Sequence, residues 1–229
     1  MKRIQTLPLF PLNTVLFPGM PLHLQVFEER YELLVRRCLD DQLPFGVNLI
    51  KSGSEVGEPA EPHLIGTTAR IAACKELSEG RFRIVAIGVR RYRLLDYTYH
   101  AEPYMIGFGE ELRDARGNDR ETHRVMESLS DHFRSYFESL AKRAGIPVPK
   151  YDLPSEPEEF SMVMAAILQT ESAEKQELLE MTDTAARLRR EAEILMRGAA
   201  GAKETGMIRR TIIARSIQTE SRKDYFRPN

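Results

Sequence analysis

Apolar and polar side chains alternate through Leu22, His23, Leu24, Gln25 and Val26. That period of two belongs to a half-buried strand. Further strands are predicted at Phe45–Ile50, Ile65–Cys74, Arg81–Ile87, Val89–Asp96 and Tyr104–Leu112, which are rich in β-branched and aromatic residues. Ser78-Glu79-Gly80, between two such runs, signals a hairpin turn. Short strands separated by turn signals point to a closed or half-closed barrel. One helix interrupts them: Phe27, Tyr31, Leu34, Val35, Cys38 and Leu39 recur on one helical face, predicting a helix from about Glu28 to Asp41. Residues 51–63 carry Gly, Ser and Pro without periodicity and read as a loop.

Near residue 118 the period becomes helical. Val125, Leu129, Phe133, Tyr136, Phe137, Leu140 and Ala144 form a stripe that Gly145 and Pro147 stop. Ser155-Glu156-Pro157-Glu158 has the spacing of a capping box, opening a helix with Phe160, Val163, Met164, Ile167 and Leu168 on one side. Ser172 caps a short helix through Met181, and Thr182 or Thr184 starts another, with Leu188, Ala192, Leu195 and Met196 inward. The expected class is therefore α+β: a strand-rich part over residues 1–117, a helical bundle over 118–200, and a tail over 201–229. The tail holds seven basic and three acidic residues, a net +4, where the whole chain carries -1.

That near-zero charge gives no global field toward nucleic acid or an anionic membrane. Composition is ordinary for a soluble domain, with 42% hydrophobic and 29% charged residues in 229. The N-terminal run is broken by Pro8 and Pro11 and lacks the apolar core of a signal peptide, and no stretch approaches a membrane span. A cytoplasmic location is expected. Cys38 and Cys74, far apart, read as two small buried hydrophobes.

Motifs that would carry catalysis are missing. Neither G-x-S-x-G, H-E-x-x-H nor G-x-x-x-x-G-K-[ST] occurs, and His123 and His132 stand too far apart to aim at one metal. Glu110-Glu111 and Glu158-Glu159 are adjacent in sequence and read as solvated or helix-terminal charges. No cofactor or metal is expected. Glu28 and Arg30 open the first helix; against a role in partner contact, Glu28 is read as supporting the N-terminal dipole and Arg30 as pairing locally. Two candidate surfaces remain. Pro8, Pro11, Pro18 and Pro21 cannot donate to a ladder, which predicts an edge for the opening segment and solvent near Leu16, Phe17 and Met20. Arg90, Arg91 and Arg93, with Tyr92 among them, suit phosphate contact, against the plainer reading of a solvated face with ion pairs.

The run Leu7-Pro8-Leu9-Phe10-Pro11-Leu12 through Phe17-Pro18-Gly19-Met20-Pro21-Leu22 to Phe27-Glu28-Glu29-Arg30-Tyr31 resembles the opening of the Lon N-terminal domain family. Ile65-Gly66-Thr67-Thr68-Ala69-Arg70-Ile71, Gly80–Asp96, Glu102-Pro103-Tyr104, and Lys175–Glu180 with Arg187-Leu188 extend the likeness in order over about residues 5–197. The resemblance implies a PUA-like β-barrel with the one inserted helix, then a helical bundle, in a domain that helps select protease substrates. Its ATPase and peptidase partners lie beyond the span of this chain, so a non-enzymatic module is expected. The partners implied are polypeptide clients or a separate protease, met by a monomer or weak homodimer at an apolar groove between barrel and bundle. Leu16, Phe17 and Met20 are the candidate client surface. RNA binding through Arg90, Arg91 and Arg93 is the alternative, since PUA-like folds elsewhere bind RNA.

Overall fold

The computed structural model describes residues 4–57, 60–115, 119–143, 145 and 153–199. The basic tail, the end of the 118–200 helical region, and part of the 51–63 loop lie outside the described residues. The chain forms two compact units: residues 1–113 with 172–180, and residues 114–171 with those from 181 onward.

The first unit is built on seven strands and one long helix. The strands are β1 (Ile4–Leu12), β2 (Pro21–Val26), β3 (Phe45–Ser52), β4 (Glu61–Pro62), β5 (Ile65–Glu76), β6 (Phe82–Thr98) and β7 (Ile106–Glu111). Helix α1 (Glu29–Asp40) sits between β2 and β3 in sequence, where the apolar stripe placed it. Around the sheet, β1 pairs β7, then β6, β5 and β3 follow, and β3 returns to β1. The circuit of pairings is closed. β1 closes it by changing partner: Ile4–Pro8 run antiparallel to Glu110–Ile106, and Leu9–Leu12 run parallel to Gly46–Leu49.

Leu7 through Leu12 are all buried, so the opening segment lies inside the protein and lacks the expected solvent exposure. Each half of β1 has one paired side in this register. A strand paired on one side alternates residues that donate to the ladder with residues that do not, which is where proline is accommodated. Leu7 and Leu9 pack with Tyr92, Leu94 and Met105. Phe10 and Leu12 point into a larger cluster with Val26, Phe45, Phe82, Ile84 and the buried face of α1. Phe10 stacks on Tyr31 at 3.9 Å between centroids and 8° between planes.

The two runs expected on either side of Gly88 are one strand, β6. β5 and β6 join through a tight helical turn at Ser78–Gly80, as the turn signal predicted. Two details of α1 and β5 differ from expectation. Phe27 and Leu39 are exposed at the ends of the helix stripe, and Cys74 lies in the solvent-exposed half of β5, whereas Cys38 is buried.

Helix α4 (Ser172–Glu180) belongs to this first unit and packs on β5. Sequence periodicity grouped it with the helical half. Polar anchors explain the difference: the Arg91 Nη1 donates to the Leu179 carbonyl at 2.8 Å, and the Gln176 Nε2 donates to the Ile65 carbonyl at 3.0 Å. A cation at a helix C-terminus meets the negative end of the macrodipole.

The second unit contains α2 (Asp119–Arg143), α3 (Pro157–Ile167) and α5 (Thr184–Ala199), which contact one another pairwise. α3 is buried on every side from Phe160 to Ile167, not on the one side expected, and only Glu158 and Glu159 of its first turn are exposed. Ser155 makes no capping box: Glu156 is the N-cap, without a side-chain bond, and Pro157 fills the first turn, where its missing N–H costs nothing. Asp183 caps α5, accepting from the Ala186 N–H at 2.9 Å. Met196, expected inward, is 67% exposed. Its place inside is taken by Arg187, Leu188, Glu191, Ile194 and Leu195. Among the described residues no helix is long and apolar enough to cross a membrane.

Arg187 is fully buried and bidentate to Asp114, with Nη2 to Oδ2 at 2.7 Å and Nη1 to Oδ1 at 3.3 Å. Its Nε donates to Ser161 Oγ at 2.7 Å, and that hydroxyl donates on to Glu191 Oε1 at 2.6 Å. Asp114 matches the arginine charge, so Glu191, 4.0 Å from Nε, is the surplus carboxyl. Burial pushes its pKa up to about 8 against the pull of Ser161 and Arg187, and its Oε2 has no hydrogen-bond partner. Glu191 is held as the neutral acid at neutral pH. Because its folded pKa lies above the unfolded value, its contribution is complete below about pH 4.5 and declines as pH rises through 8. We expect Glu191→Gln to match the wild type in unfolding free energy near pH 4 and to exceed it by a margin that grows by roughly 1.4 kcal/mol per pH unit between about pH 4.5 and 8. Parallel wild-type and variant stability profiles from pH 5 to 9 would show the carboxyl to be already ionised in the fold.

Candidate functional site

The turn Phe17-Pro18-Gly19-Met20 does not present a surface anchor. Leu16 and Phe17 are 2% and 0% exposed. Met20 is half-buried against the larger core cluster. Burial is possible because this segment's backbone groups are satisfied without a regular ladder. Gly19 N–H donates to the Gly88 carbonyl and Gly88 N–H to the Met20 carbonyl, each at 2.8 Å. Met20 N–H closes the turn on the Phe17 carbonyl at 3.0 Å, and Thr67 Oγ1 donates to the Leu16 carbonyl. Gly19 has φ +77°, and a Cβ at Gly88 would overlap the Phe17 carbonyl. Pro18 and Gly19 thus occupy the turn positions that favour them, and a glycine in β6 lets the turn approach.

The arginine cluster also resolves differently from the phosphate-contact alternative. Arg91 is 3% exposed and holds α4 as described. Tyr92 is buried, so it offers no stacking platform. Arg90 is exposed and lies 3.4 Å from Glu111, and Arg93 is exposed on the next outward position. Glu28 and Arg30 form the expected local pair at 2.9 Å.

The structure instead assembles a candidate site from residues that share no local sequence pattern. Within the first unit, a groove of about 580 Å³ runs between β3 and α4. Leu49 and Ile50 of β3, with Asn13 and His63, form one wall. Gln176, Glu177 and Glu180 form the other, with the small Ser172 and Ala173 at the start of the helix.

A hydrogen-bonded chain stiffens it from behind. The Tyr92 hydroxyl donates to Asn48 Oδ1. Asn48 Nδ2 donates to the His63 carbonyl at 2.9 Å, and the His63 N–H donates to the Leu49 carbonyl at 2.8 Å. Desolvation raises the Tyr92 pKa far above its ordinary range, so the phenol stays protonated and a donor. A Cβ at Gly46 would overlap that hydroxyl, which is why a glycine faces it across the sheet. On the helix side, Gln176 Nε2 makes both its donations, to the Ile65 carbonyl and to Glu180 Oε1 at 2.8 Å. Both partners are acceptors, which fixes the orientation of the amide. Its Oε1 is left buried without a hydrogen-bond partner, a desolvation cost of roughly 1–3 kcal/mol. His63 Nδ1 faces Glu180 Oε1 at 3.5 Å.

The arrangement holds no nucleophile paired with a base. Leu49 and Ile50 contribute apolar surface beside the polar Asn13 and His63, and α4 contributes the acceptors of Gln176, Glu177 and Glu180. The cues in the sequence were weak: Asn48 is a polar residue inside a strand pattern, and Gln176 and Glu180 share a face of α4 by their spacing of four.

The family model described as the ATP-dependent protease La (Lon) substrate-binding domain matches residues 6–197. The Lon protease of Brevibacillus choshinensis is 28% identical over 184 residues, covering 80% of this chain and 24% of that protein. Lon protease 1 of Bacillus subtilis (strain 168) is 25% identical over 230 aligned positions, covering 97% of this chain and 29% of its own length. The chain therefore spans about a quarter of these relatives. Among solved structures, a Lon N-terminal domain protein from Xanthomonas campestris superposes with a TM-score of 0.62 at 25% identity, covering 82% of this chain and 98% of that one. The N-terminal domain of the Mycobacterium avium complex Lon protease superposes with a TM-score of 0.64 at 15% identity, covering 84% and 98%. The latter likeness concerns the fold.

Three substitutions test these placements. Phe17→Ala should lower unfolding free energy by about 3–5 kcal/mol, the range for truncating a buried aromatic ring; a change below about 1 kcal/mol in a urea titration would return Phe17 to the surface. Arg91→Ala leaves the Leu179 carbonyl without its buried donor and should cost about 1.5–3 kcal/mol. Arg90→Ala, on the exposed neighbour, should change stability by less than about 0.5 kcal/mol.

Proposed function

The chain belongs to the family of Lon substrate-binding domains, and on that footing we propose that it is a polypeptide-recognition module that neither hydrolyses ATP nor cleaves peptide bonds. In this reading it serves as an adaptor or regulator, holding a client for a separate protease. The observation that carries the proposal is the groove between β3 and α4 in the first unit. At about 580 Å³ it has room for a few residues of an extended chain. Leu49 and Ile50 supply apolar area for client side chains, at about 25 cal/mol per Å² removed from water. The backing network of Tyr92, Asn48 and His63 keeps that wall in place before the client arrives, which lowers the ordering cost of binding. The absence of a phosphate-cradling G-x-x-x-x-G-K-[ST] loop supports recognition that is independent of nucleotide.

Titration of the purified chain with a permanently unfolded, reduced and alkylated protein should give saturable binding in the micromolar range without nucleotide. The bound protein should remain intact, and ATP should leave the chain's melting temperature unchanged. Cleavage that survives stringent purification, or binding that appears only with ATP, would remove this reading.

A further inference from the structure

We propose that the groove between β3 and α4 selects a lysine or arginine side chain of the bound polypeptide. The proposal rests on the polypeptide-recognition reading above and adds what the groove asks of its client.

Three groups on the α4 wall carry oxygen acceptors: the Gln176 amide and the Glu177 and Glu180 carboxylates. The amide is the most telling. Gln176 is 2% exposed, both its N–H donations are used within the fold, and its oxygen is buried without a partner. That oxygen is closed to solvent as the fold stands, so a client donor gains its hydrogen bond only by displacing part of the α4 wall. The donor is not supplied from nearby cations. Arg91 reaches past the groove to the Leu179 carbonyl. Lys175, the cation within α4, is buried and does not line the groove. His63 lies in the wall, 3.5 Å from Glu180.

The opposite wall sets the shape of the ligand. Leu49 and Ile50 suit an aliphatic stem, while the acceptors across from them suit a charged head with several donors. Lysine and arginine combine the two, and both normally lay their methylenes along apolar surface with the head in a polar site. The groove also lies beside the C-terminal turn of α4, since Glu180 is its last residue. Ser172 and Ala173 bring the other end of α4 into the same lining and Arg91 already meets the Leu179 carbonyl, so the attraction for a cation comes from the carboxylates and not from the helix dipole. An acidic client would meet like charge at Glu177 and Glu180.

Two fluorescent peptides test this, identical apolar 12-residue chains that differ at one central position, arginine in one and glutamine in the other. Wild-type chain should bind the arginine peptide at least tenfold more tightly at low salt, and the ratio should shrink as salt rises. Glu177→Gln with Glu180→Gln, both at exposed positions, should reduce the ratio to within about threefold while leaving the melting temperature nearly unchanged. Gln176→Leu, which fills the buried amide position with an apolar group, should also lower the ratio. If that variant melts early, the double glutamine variant alone decides. Equal binding of both peptides by the wild type overturns the cation proposal while leaving polypeptide recognition standing. So does an unaltered preference in the double variant. If neither these peptides nor the unfolded protein binds, the recognition reading fails and the groove proposal falls with it.

Discussion

β1 hydrogen-bonds two strands in turn, and the first unit is built on that change of partner. Its first half lies antiparallel to β7 and its second half parallel to β3. Without the switch the sheet would have two open edges, each a row of unpaired backbone groups. The changeover sits at Pro8 and Leu9, where the Leu9 N–H still reaches back to the Met105 carbonyl at 2.8 Å. β1 must therefore be buried on both faces. Leu7 and Leu9 serve one cluster and Phe10 and Leu12 the other, so a run that does not alternate in polarity is what this position requires.

The closed circuit brings β3 and β6 to places where their polar residues can meet across it. Asn48 and Tyr92 are 44 residues apart and both buried. A buried amide is tolerable only when its groups are paired. Asn48 is paired by Tyr92 on one end and by the His63 carbonyl on the other. That pairing fixes the strand wall of the groove from inside the core. The opposite wall, α4, is fixed by Arg91 and by the donated half of Gln176. Both walls thus owe their position to buried polar contacts, which fix direction as burial of apolar area does not.

Much of the fold was legible because it is local. The period of two at Leu22–Val26, the stripe of α1 and the Ser78–Gly80 turn each depend on neighbours in sequence, and all are present. The family likeness was legible in the same ordered segments. Features that failed depend on partners far along the chain. α4 has a helical pattern, yet no periodicity could show that Arg91, 88 residues before Leu179, would draw it to the strands. Met196 fits an apolar stripe, but α5 turns Arg187 and Glu191 inward because Asp114 and Ser161 await them. The groove was illegible for the same reason: Asn13, Leu49, His63 and Gln176 share no local pattern.

Phe17 shows where inference from proline goes astray. The four prolines between residues 8 and 21 do restrict ladder pairing, and that much was correct. The step from there to solvent exposure assumed that backbone groups outside a ladder must meet water. Gly88 and Thr67 remove the assumption by meeting those groups inside the protein. A buried backbone needs partners, and a glycine in a neighbouring strand or a threonine hydroxyl serves as well as a ladder. Among the described residues, the acceptors left without a partner lie elsewhere, at Gln176 Oε1 and Glu191 Oε2, so in this chain it is buried side chains, and not the proline-broken backbone, that carry the unmet hydrogen-bonding capacity.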